Sequence, residues 1–164
     1  MREPNILTSY RLVVFDADDT LRKTLVPGKP CPHGPGEWEL RHGVREVLQK
    51  VRWGEQAAPN LGLASNQDHV AYGFLSLEMA RGLLRDLAVA ATGSAPADPA
   101  LQLCPHPLDR ACRCRKPEPG MLLSIMRYYG VEAADTLFVG DAEVDRQAAA
   151  RAGTSFMWAS DLFG

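Results

Sequence analysis

Three carboxylates directly follow an apolar run near the start of the chain, in the stretch RLVVFDADDT at residues 11–20. Side chains two residues apart in an extended chain point to the same side, so Asp16 and Asp18 should share a side where the strand ends. Neighbouring carboxylates repel unless a cation or a shared proton intervenes, and their oxygens suit a hard ion such as Mg²⁺. An isolated pair of this kind is also compatible with a solvated acidic turn, so this motif does not decide by itself.

Further polar residues follow apolar runs elsewhere in the chain. Asp141 comes immediately after the run at 136–139, Ser65 ends the run LGLAS, and Lys116 lies in the basic stretch RCRKP. Asp145 begins the next helical pattern, where a simple N-cap aspartate is the alternative. If the runs are strands of one parallel sheet, these side chains and the first carboxylates collect along one edge of it. The sequence therefore predicts a magnesium site at that edge.

Cysteines and a histidine cluster just ahead of the lysine. The stretch CPHPLDRACRC contains a CxH pair and a CxC pair, and the candidate ligands are Cys104, His106, Cys112 and Cys114. Three thiolates and an imidazole match a closed tetrahedral zinc site, which has no open position for substrate and therefore predicts a structural role. Unrelated buried cysteines are the alternative.

A second CPH triplet, from Cys31 to His33, has no CxC pair nearby. We interpret it as part of the loop after the first motif, with a second metal ion as an open alternative. His42 and His69 are interpreted as ordinary surface or capping residues.

The hydrophobic pattern predicts the elements that position these residues. Strand-like runs lie at 11–15, 61–64, 101–103, 136–139 and 154–158. Helical stripes between them are Val44, Val47, Leu48 and Val51, then Leu77, Ala80, Leu84 and Leu87, then Leu122, Ile125, Met126 and Tyr129. This alternation predicts an α/β fold, a three-layer Rossmann-like sandwich around a parallel sheet of about five strands. The segments 22–37 and 92–99 are expected to be irregular.

Composition and charge narrow the classes of function. A chain of 164 residues suits a single domain, 1–164. The net charge of -2 gives no general attraction to nucleic acid. No stretch approaches the roughly 20 apolar residues that span a bilayer, and the first residues lack the apolar segment of a secretory signal. We therefore expect a cytoplasmic protein, a monomer or weak oligomer, with no membrane or nucleic-acid partner.

Taken in order, the motifs resemble the haloacid dehalogenase superfamily of phosphohydrolases. The four motifs of that family appear as the stretch Asp16-Ala17-Asp18-Asp19-Thr20, then Ser65, then Lys116, then Gly140-Asp141 with Asp145. The resemblance implies a magnesium-dependent phosphomonoesterase that acts through an aspartyl-phosphate on a small phosphorylated metabolite.

The resemblance also implies a catalytic role for each motif. Asp16 would attack phosphorus, because an ionised carboxylate is a nucleophile without a separate base. Asp18 would protonate the leaving oxygen and later activate water. Ser65 would donate a hydrogen bond to a phosphoryl oxygen, and Lys116 would offset negative charge.

Metal and substrate contacts follow from the same resemblance. Mg²⁺ would be held by Asp16, by the backbone carbonyl of Asp18 and by Asp141, with Asp145 acting through water. The expected substrate-binding residues are Thr20, Asn66 and Arg115.

The cysteine loop ahead of Arg115 and Lys116 resembles subfamily IIIA of the superfamily, in the branch of histidinol-phosphate and heptose-bisphosphate phosphatases. A small sugar or polyol phosphate is therefore the expected substrate. The chain departs from that branch at Asp19, where Gly is usual, and at Ala142, where the heptose enzymes tend to have Lys. These departures leave the identity of the substrate open.

The spacing of the motifs bears on access to the site. The stretch between Ser65 and Lys116 must supply a helix, a strand and the zinc loop, which leaves no room for a large cap domain. We therefore expect an open site walled by 22–37 and the zinc loop. Two alternatives stay open, a polynucleotide 3′-phosphatase and a non-catalytic, zinc-stabilised module that binds phosphate or nucleic acid.

Overall fold

Seven strands and five α-helices make up the computed structural model, which describes residues 5–164. The strands are β1 Leu12–Phe15, β2 Arg22–Thr24, β3 Trp38–Leu40, β4 Asn60–Asn66, β5 Leu101–Cys104, β6 Thr136–Gly140 and β7 Ser155–Trp158. The helices are α1 Val44–Leu48, α2 Leu77–Thr92, α3 Gly120–Tyr129, α4 Glu143–Ala152 and α5 Ala159–Phe163. Five strands form one parallel sheet in the order β5-β4-β1-β6-β7. The predicted α/β class and parallel sheet are confirmed.

The central strand β1 is buried on both faces. Val13 and Phe15 point into the core shared with α1, α2 and α5, whereas Leu12 and Val14 point into the core shared with α3 and α4. This alternation follows from the two-residue period of a strand, and a strand covered on both sides reads as the unbroken apolar run seen in the sequence. The layers are therefore helix, sheet and helix.

The helices match the predicted stripes, with shorter ends in one case. Leu84, Leu87 and Ile125 are fully buried, as their helical spacing predicts, whereas Leu77 at the start of α2 is 39% exposed. Helix α1 ends at Leu48, so Val51 lies beyond it, although its side chain is still buried. Helix α5 was not predicted, because five residues give too few turns for a helical period to show.

The segment 22–37 is not wholly irregular, so that prediction was wrong in part. Strand β2 begins at Arg22 and pairs antiparallel with β3, with Arg22 opposite Leu40 and Thr24 opposite Trp38. Strands of three residues, separated by a long Pro- and Gly-rich connection, give no readable alternation in sequence. The hairpin follows the first motif directly and stands over that edge of the sheet.

The strand order creates the crevice in which the motifs meet. The chain passes from β1 to β4 on one side, and later places β6 on the other side of β1. Ligands of open parallel sheets bind beyond the carboxyl ends of strands at such a point. None of the helices in residues 5–164 is both long and apolar enough to cross a membrane.

Candidate active site

The two main acidic motifs lie side by side because their strands are neighbours. Phe15 of β1 is the register partner of Val139 of β6, and the backbone N–H of Asp16 donates to the Val139 carbonyl at 3.0 Å. Asp141 follows two residues after Val139. One carboxylate oxygen from each of Asp16, Asp141 and Asp145 lies within 4.8 Å of the others. The sheet therefore brings together acids from positions far apart in the sequence.

Lys116 lies at the centre of these acids and is 3% exposed. Its Nζ donates to Asp16 Oδ1 at 2.7 Å, to Asp145 Oδ1 at 2.7 Å and to the Ala64 carbonyl at 2.9 Å, which uses all three of its hydrogens. Burial by itself lowers the pKa of Lys116, but Asp16 and Asp145 outweigh it, so the pKa lies above its ordinary value. Lys116 is therefore a fixed positive charge beside Asp16.

Asp145 is buried and has no free oxygen. Its Oδ1 accepts from Lys116, and its Oδ2 accepts from the backbone N–H groups of Asp141 at 3.2 Å and Ala142 at 3.0 Å. A Cβ at Gly140 would lie 2.5 Å from the Asp145 Cβ, so only glycine permits this close approach. These contacts favour Asp145 as the residue that positions Lys116, rather than as a direct metal ligand.

Thr20 bridges the two remaining acids. Its Oγ1 lies 3.0 Å from Asp16 Oδ2 and 3.0 Å from Asp141 Oδ1, and the side chain is fully buried. A hydroxyl has one hydrogen, so it donates to one of these oxygens at a time. Thr20 is a predicted substrate contact, and in the structure its hydroxyl lies between the two acids.

Asp18 points away from that cluster and has its own partners. Arg22 donates to both of its oxygens, from Nε at 2.8 Å and from Nη2 at 3.3 Å, and Gln67 Nε2 donates to Oδ2 at 3.0 Å. Burial raises the pKa of Asp18 in spite of the opposing effect of Arg22. Arg22 and Gln67 thus hold the Asp18 carboxyl group in place. Sequence reasoning missed Arg22 and Gln67, although Arg22 lies only four residues after Asp18.

The second motif supports the site from β4. Ser65 is buried and its Oγ lies 2.7 Å from Gln67 Nε2. The Asn66 amide holds the backbone of Lys116 in both directions, accepting from its N–H at 2.9 Å and donating to its carbonyl at 3.2 Å. Asn66 therefore positions Lys116, a contact that the sequence analysis did not foresee when it assigned Asn66 to substrate.

The acidic cluster fits a divalent cation. Two carboxylates, Asp16 and Asp141, have oxygens close together, and the Asp141 side chain reaches solvent. Partial desolvation, followed by the neighbouring Asp16, raises the pKa of Asp141 to about 7. A hard cation between the two would offset this repulsion, and carboxylate oxygens are the ligands that Mg²⁺ prefers.

The four cysteine and histidine positions converge as a second cluster. The Sγ atoms of Cys104 and Cys114 lie 2.8 Å apart, those of Cys104 and Cys112 lie 3.6 Å apart, and His106 Nδ1 lies 3.1 Å from the Cys114 Sγ. Burial raises the pKa of Cys104, and raises that of Cys114 to about 12. Metal binding would deprotonate these thiols, and the set of three cysteines and one histidine is that of a tetrahedral zinc site.

Arg115 links this cluster to the active site. Its Nη2 donates to the His106 carbonyl, while its Nε is buried with no hydrogen-bond partner among the described residues. Its backbone N–H donates to Cys112 Sγ at 3.4 Å. The cysteine loop thus sets the position of the residue immediately before Lys116.

The wall of the site includes residues that the sequence analysis did not name. A cavity of about 160 Å³ adjoins Thr20 and Asp141, and the end of the hairpin and the C-terminal residues line it, among them Arg41, His42 and Phe163. The expectation that 22–37 and the cysteine loop form the only walls was therefore wrong. Helix α5 was not predicted, so its contribution could not be foreseen.

Comparison with known proteins points in the same direction as the geometry. A family model described as "Hydrolase: haloacid dehalogenase-like hydrolase" matches residues 33–153. The D-glycero-beta-D-manno-heptose-1,7-bisphosphate 7-phosphatase of Pseudomonas aeruginosa is 37% identical over 147 residues, which cover 88% of this chain and 73% of the relative. The enzyme of the same name from Bordetella bronchiseptica is 31% identical over 143 residues, covering 87% of this chain and 76% of the relative.

A solved structure is similar over nearly the same extent. The crystal structure of D,D-heptose 1,7-bisphosphate phosphatase from B. bronchiseptica, complexed with magnesium and phosphate, matches with a TM-score of 0.72 and 31% identity. The match covers 89% of this chain and 78% of that one.

Proposed function

Because this chain belongs to the haloacid dehalogenase-like hydrolases, we propose that it is a magnesium-dependent phosphatase of small phosphorylated sugars, with a heptose bisphosphate as the first candidate substrate. The observation that carries the proposal is the contact of Lys116 Nζ with Asp16 Oδ1 at 2.7 Å, beside Asp141. In that arrangement Lys116 holds the Asp16 carboxylate at the place where the phosphoryl group and the metal ion would both bind.

Asp16 is the nucleophile in this proposal. Lys116 and Thr20 contact its two oxygens and fix the orientation of the carboxylate. A bond forms between an Asp16 oxygen and phosphorus while the bond from phosphorus to the leaving oxygen breaks. Lys116 keeps its proton throughout and balances the charge.

Asp18 moves the protons. Burial raises its pKa, which favours proton transfer to the leaving oxygen, and Arg22 and Gln67 hold the carboxyl group in place. The carboxylate left behind then takes a proton from the water that attacks the phosphorus of the aspartyl-phosphate. This second step releases inorganic phosphate and restores Asp16.

Asp16, Asp141 and the Asp18 backbone carbonyl are the proposed ligands of the magnesium ion. When bound, Mg²⁺ supplies positive charge that lets a phosphate dianion approach an anionic nucleophile. Asp145 acts one step away, because it is 1% exposed and its two oxygens accept three hydrogen bonds, from Lys116 and from two backbone N–H groups.

Two further groups are proposed to contact the phosphoryl group or the substrate. Ser65 offers a buried hydroxyl at the end of β4, and Arg115 offers a buried Nε that has no other partner in the described part of the chain. Zinc bound by the four-residue cluster around Cys104 would fix the loop that carries Arg115. The zinc is therefore proposed as structural, since all four of its positions are filled by protein.

The substrate proposal is tested with a panel. Hydrolysis is measured with Mg²⁺ on p-nitrophenyl phosphate, both anomers of heptose bisphosphate, histidinol phosphate and a 3′-phosphorylated oligonucleotide. We expect the highest kcat/KM for a heptose bisphosphate and no activity in Asp16→Asn. Asp86→Asn, an exposed aspartate on α2, is the matched control and should keep full activity.

Other results of this activity panel would favour a different function or overturn the proposal. Preference for the oligonucleotide would favour the polynucleotide 3′-phosphatase instead. Full activity in Asp16→Asn would remove the nucleophile, and inactivity of the folded wild type on every phosphate ester would overturn the phosphatase proposal itself.

A further inference from the structure

Cys31, His33 and His69 form a third cluster of metal-ligating side chains, separate from the two already described. One ligand atom of each residue lies within 4.8 Å of the others. His33 Nε2 and His69 Nδ1 are 2.8 Å apart. The sequence pattern indicates a loop at the CPH triplet, with a second metal ion as the open alternative, and a surface or capping residue at His69; the fold brings His33 and His69 together across 36 positions of sequence.

The cluster is built by two different loops. Cys31 and His33 lie in the connection between β2 and β3, and His69 lies in the 3₁₀ turn that follows β4. Cys31 is 6% exposed, so its side chain is buried. The cluster therefore draws three common ligands of Zn²⁺ from two segments of the chain, and one of them is a buried thiol.

Aromatic packing fixes the two imidazoles. The Phe74 ring stacks on His33 with centroids 5.2 Å apart and planes 10° apart, and it lies 4.9 Å from the centroid of His69. Tyr72 packs edge-on to His69 at 6.5 Å. Phe74 and Tyr72 thus restrict the rotation of the two imidazoles, although about half of each aromatic side chain is exposed.

The donor spacing resembles that of the four-ligand cluster in the same molecule. There the closest donors, Cys104 and Cys114, are 2.8 Å apart, as are His33 and His69 here. In each cluster the candidate ligand atoms lie within 4.8 Å of one another, a separation that a single ion can span.

We propose that Cys31, His33 and His69 bind one transition-metal ion of the zinc class, distinct from the ion of the four-ligand cluster. A thiolate and two neutral imidazoles are borderline-soft ligands that suit Zn²⁺ and disfavour Mg²⁺. Three protein ligands leave the fourth tetrahedral position open to water or to a ligand oxygen.

This ion would lie on the Asp18 side of the catalytic crevice. His69 is two residues beyond Gln67, whose side-chain amide donates to Asp18. Asp18 is close enough to Cys31 to contribute to the raised pKa of its thiol, after desolvation. The ion would therefore join the connection between β2 and β3, which carries Cys31 and His33, to the 3₁₀ turn after β4, which carries His69.

The test counts metal ions in the whole chain. Protein is loaded with excess Zn²⁺ in saturating Mg²⁺, desalted and analysed by mass spectrometry for zinc per chain. We expect two zinc ions in wild type, one in His33→Gln/His69→Gln, and one in Cys112→Ser/Cys114→Ser. His42→Gln, a histidine outside the three clusters, should keep two.

A cobalt titration separates these sites from adventitious oxygen ligands. Thiolate-to-cobalt absorption should rise in two steps in wild type, and the second step should be lost in Cys31→Ser and in His33→Gln/His69→Gln while the first remains. Circular dichroism confirms that each variant is folded.

The outcomes distinguish this proposal from the zinc site around Cys104. One zinc that is lost in His33→Gln/His69→Gln would support the three-ligand site and contradict the four-ligand one. A zinc count that is the same in wild type and in His33→Gln/His69→Gln would overturn the proposal and leave a simple hydrogen bond between the two histidines.

Discussion

Replacing Lys116 with methionine should destabilise the fold and abolish activity together. Methionine keeps the length of the side chain but removes the charge and the three hydrogen bonds to Asp16, Asp145 and Ala64. Since Lys116 is only 3% exposed, its removal would leave the carboxylates of Asp16 and Asp145 close together with no buried counter-charge. Removing one partner of a buried ion pair costs about 3–5 kcal/mol. We expect the free energy of unfolding without Mg²⁺ to fall by that amount.

A double-mutant cycle assigns this cost to the ion pair. Asp145→Asn keeps the acceptor for the backbone N–H groups and removes the charge, so Lys116→Met/Asp145→Asn should be less destabilised than the sum of the single variants by about 1–3 kcal/mol. The free energies come from urea titrations with the slope of the transition compared across variants.

An exposed ion pair provides the control. Arg151 Nη1 lies 3.0 Å from Glu118 Oε1 on the surface, with about half of each side chain exposed, so Arg151→Met should change the stability little. A loss below about 1 kcal/mol in Lys116→Met, or strict additivity in the cycle, would refute the reasoning that buried charge balance organises this site.

Three further predictions follow from the site. Because the pKa of Asp141 is raised to about 7, protons compete with Mg²⁺ for this carboxylate below that pH. Calorimetry should show the affinity for Mg²⁺ rising about tenfold from about pH 6 to about pH 8. An affinity that does not change with pH would contradict this prediction. Gly140→Ala should displace Asp145, lower the free energy of unfolding by about 1–3 kcal/mol and lower kcat. Gly82→Ala, in open space on α2, should raise the free energy of unfolding by about 0.5–1 kcal/mol. Equal effects of the two substitutions would rule out the steric explanation. Asp19 has a left-handed backbone conformation with φ 63°. Thermal unfolding should therefore show that Asp19→Gly is at least as stable as wild type and that Asp19→Val is less stable by about 1–2 kcal/mol. The reverse order of stabilities would count against that conformation.

The backbone of Asp19 also explains one departure from the family pattern. Glycine is usual at that position of the branch that the motifs resemble, and the structure shows a left-handed conformation there, which glycine adopts freely and which aspartate tolerates better than most residues. The geometry of the first motif is therefore kept in spite of the substitution.

The sequence was sufficient for the sheet and for the residues at its edge. Five apolar runs with helical stripes between them specify a parallel sheet, and a parallel sheet brings the ends of β1 and β6 together whatever lies between them in sequence. Asp16 and Asp141 could therefore be placed without coordinates.

Contacts that depend on a single side chain reaching across the fold could not be read in this way. Asn66 bonds the Lys116 backbone, and Gln67 bonds the Asp18 side chain. These contacts join separate loops, and the hydrophobic periodicity of the sequence does not specify how two loops lie relative to each other. His33 and His69 meet for the same reason, because the CxH spacing of Cys31 and His33 is visible in the sequence but His69 comes from a separate loop. The short hairpin and α5 were missed because elements of three to five residues are below the length at which a pattern repeats.

The most direct test of the central claim is to trap the phosphoryl group on Asp16. Asp18→Asn lacks the base for the second step, yet p-nitrophenol is a leaving group good enough to depart without an acid. With Mg²⁺ and p-nitrophenyl phosphate, this variant should release one equivalent of p-nitrophenol in a burst and then stall. Borohydride reduction followed by peptide mass spectrometry should find homoserine at position 16. No burst in the folded variant, or reduction at a different carboxylate, would contradict the account.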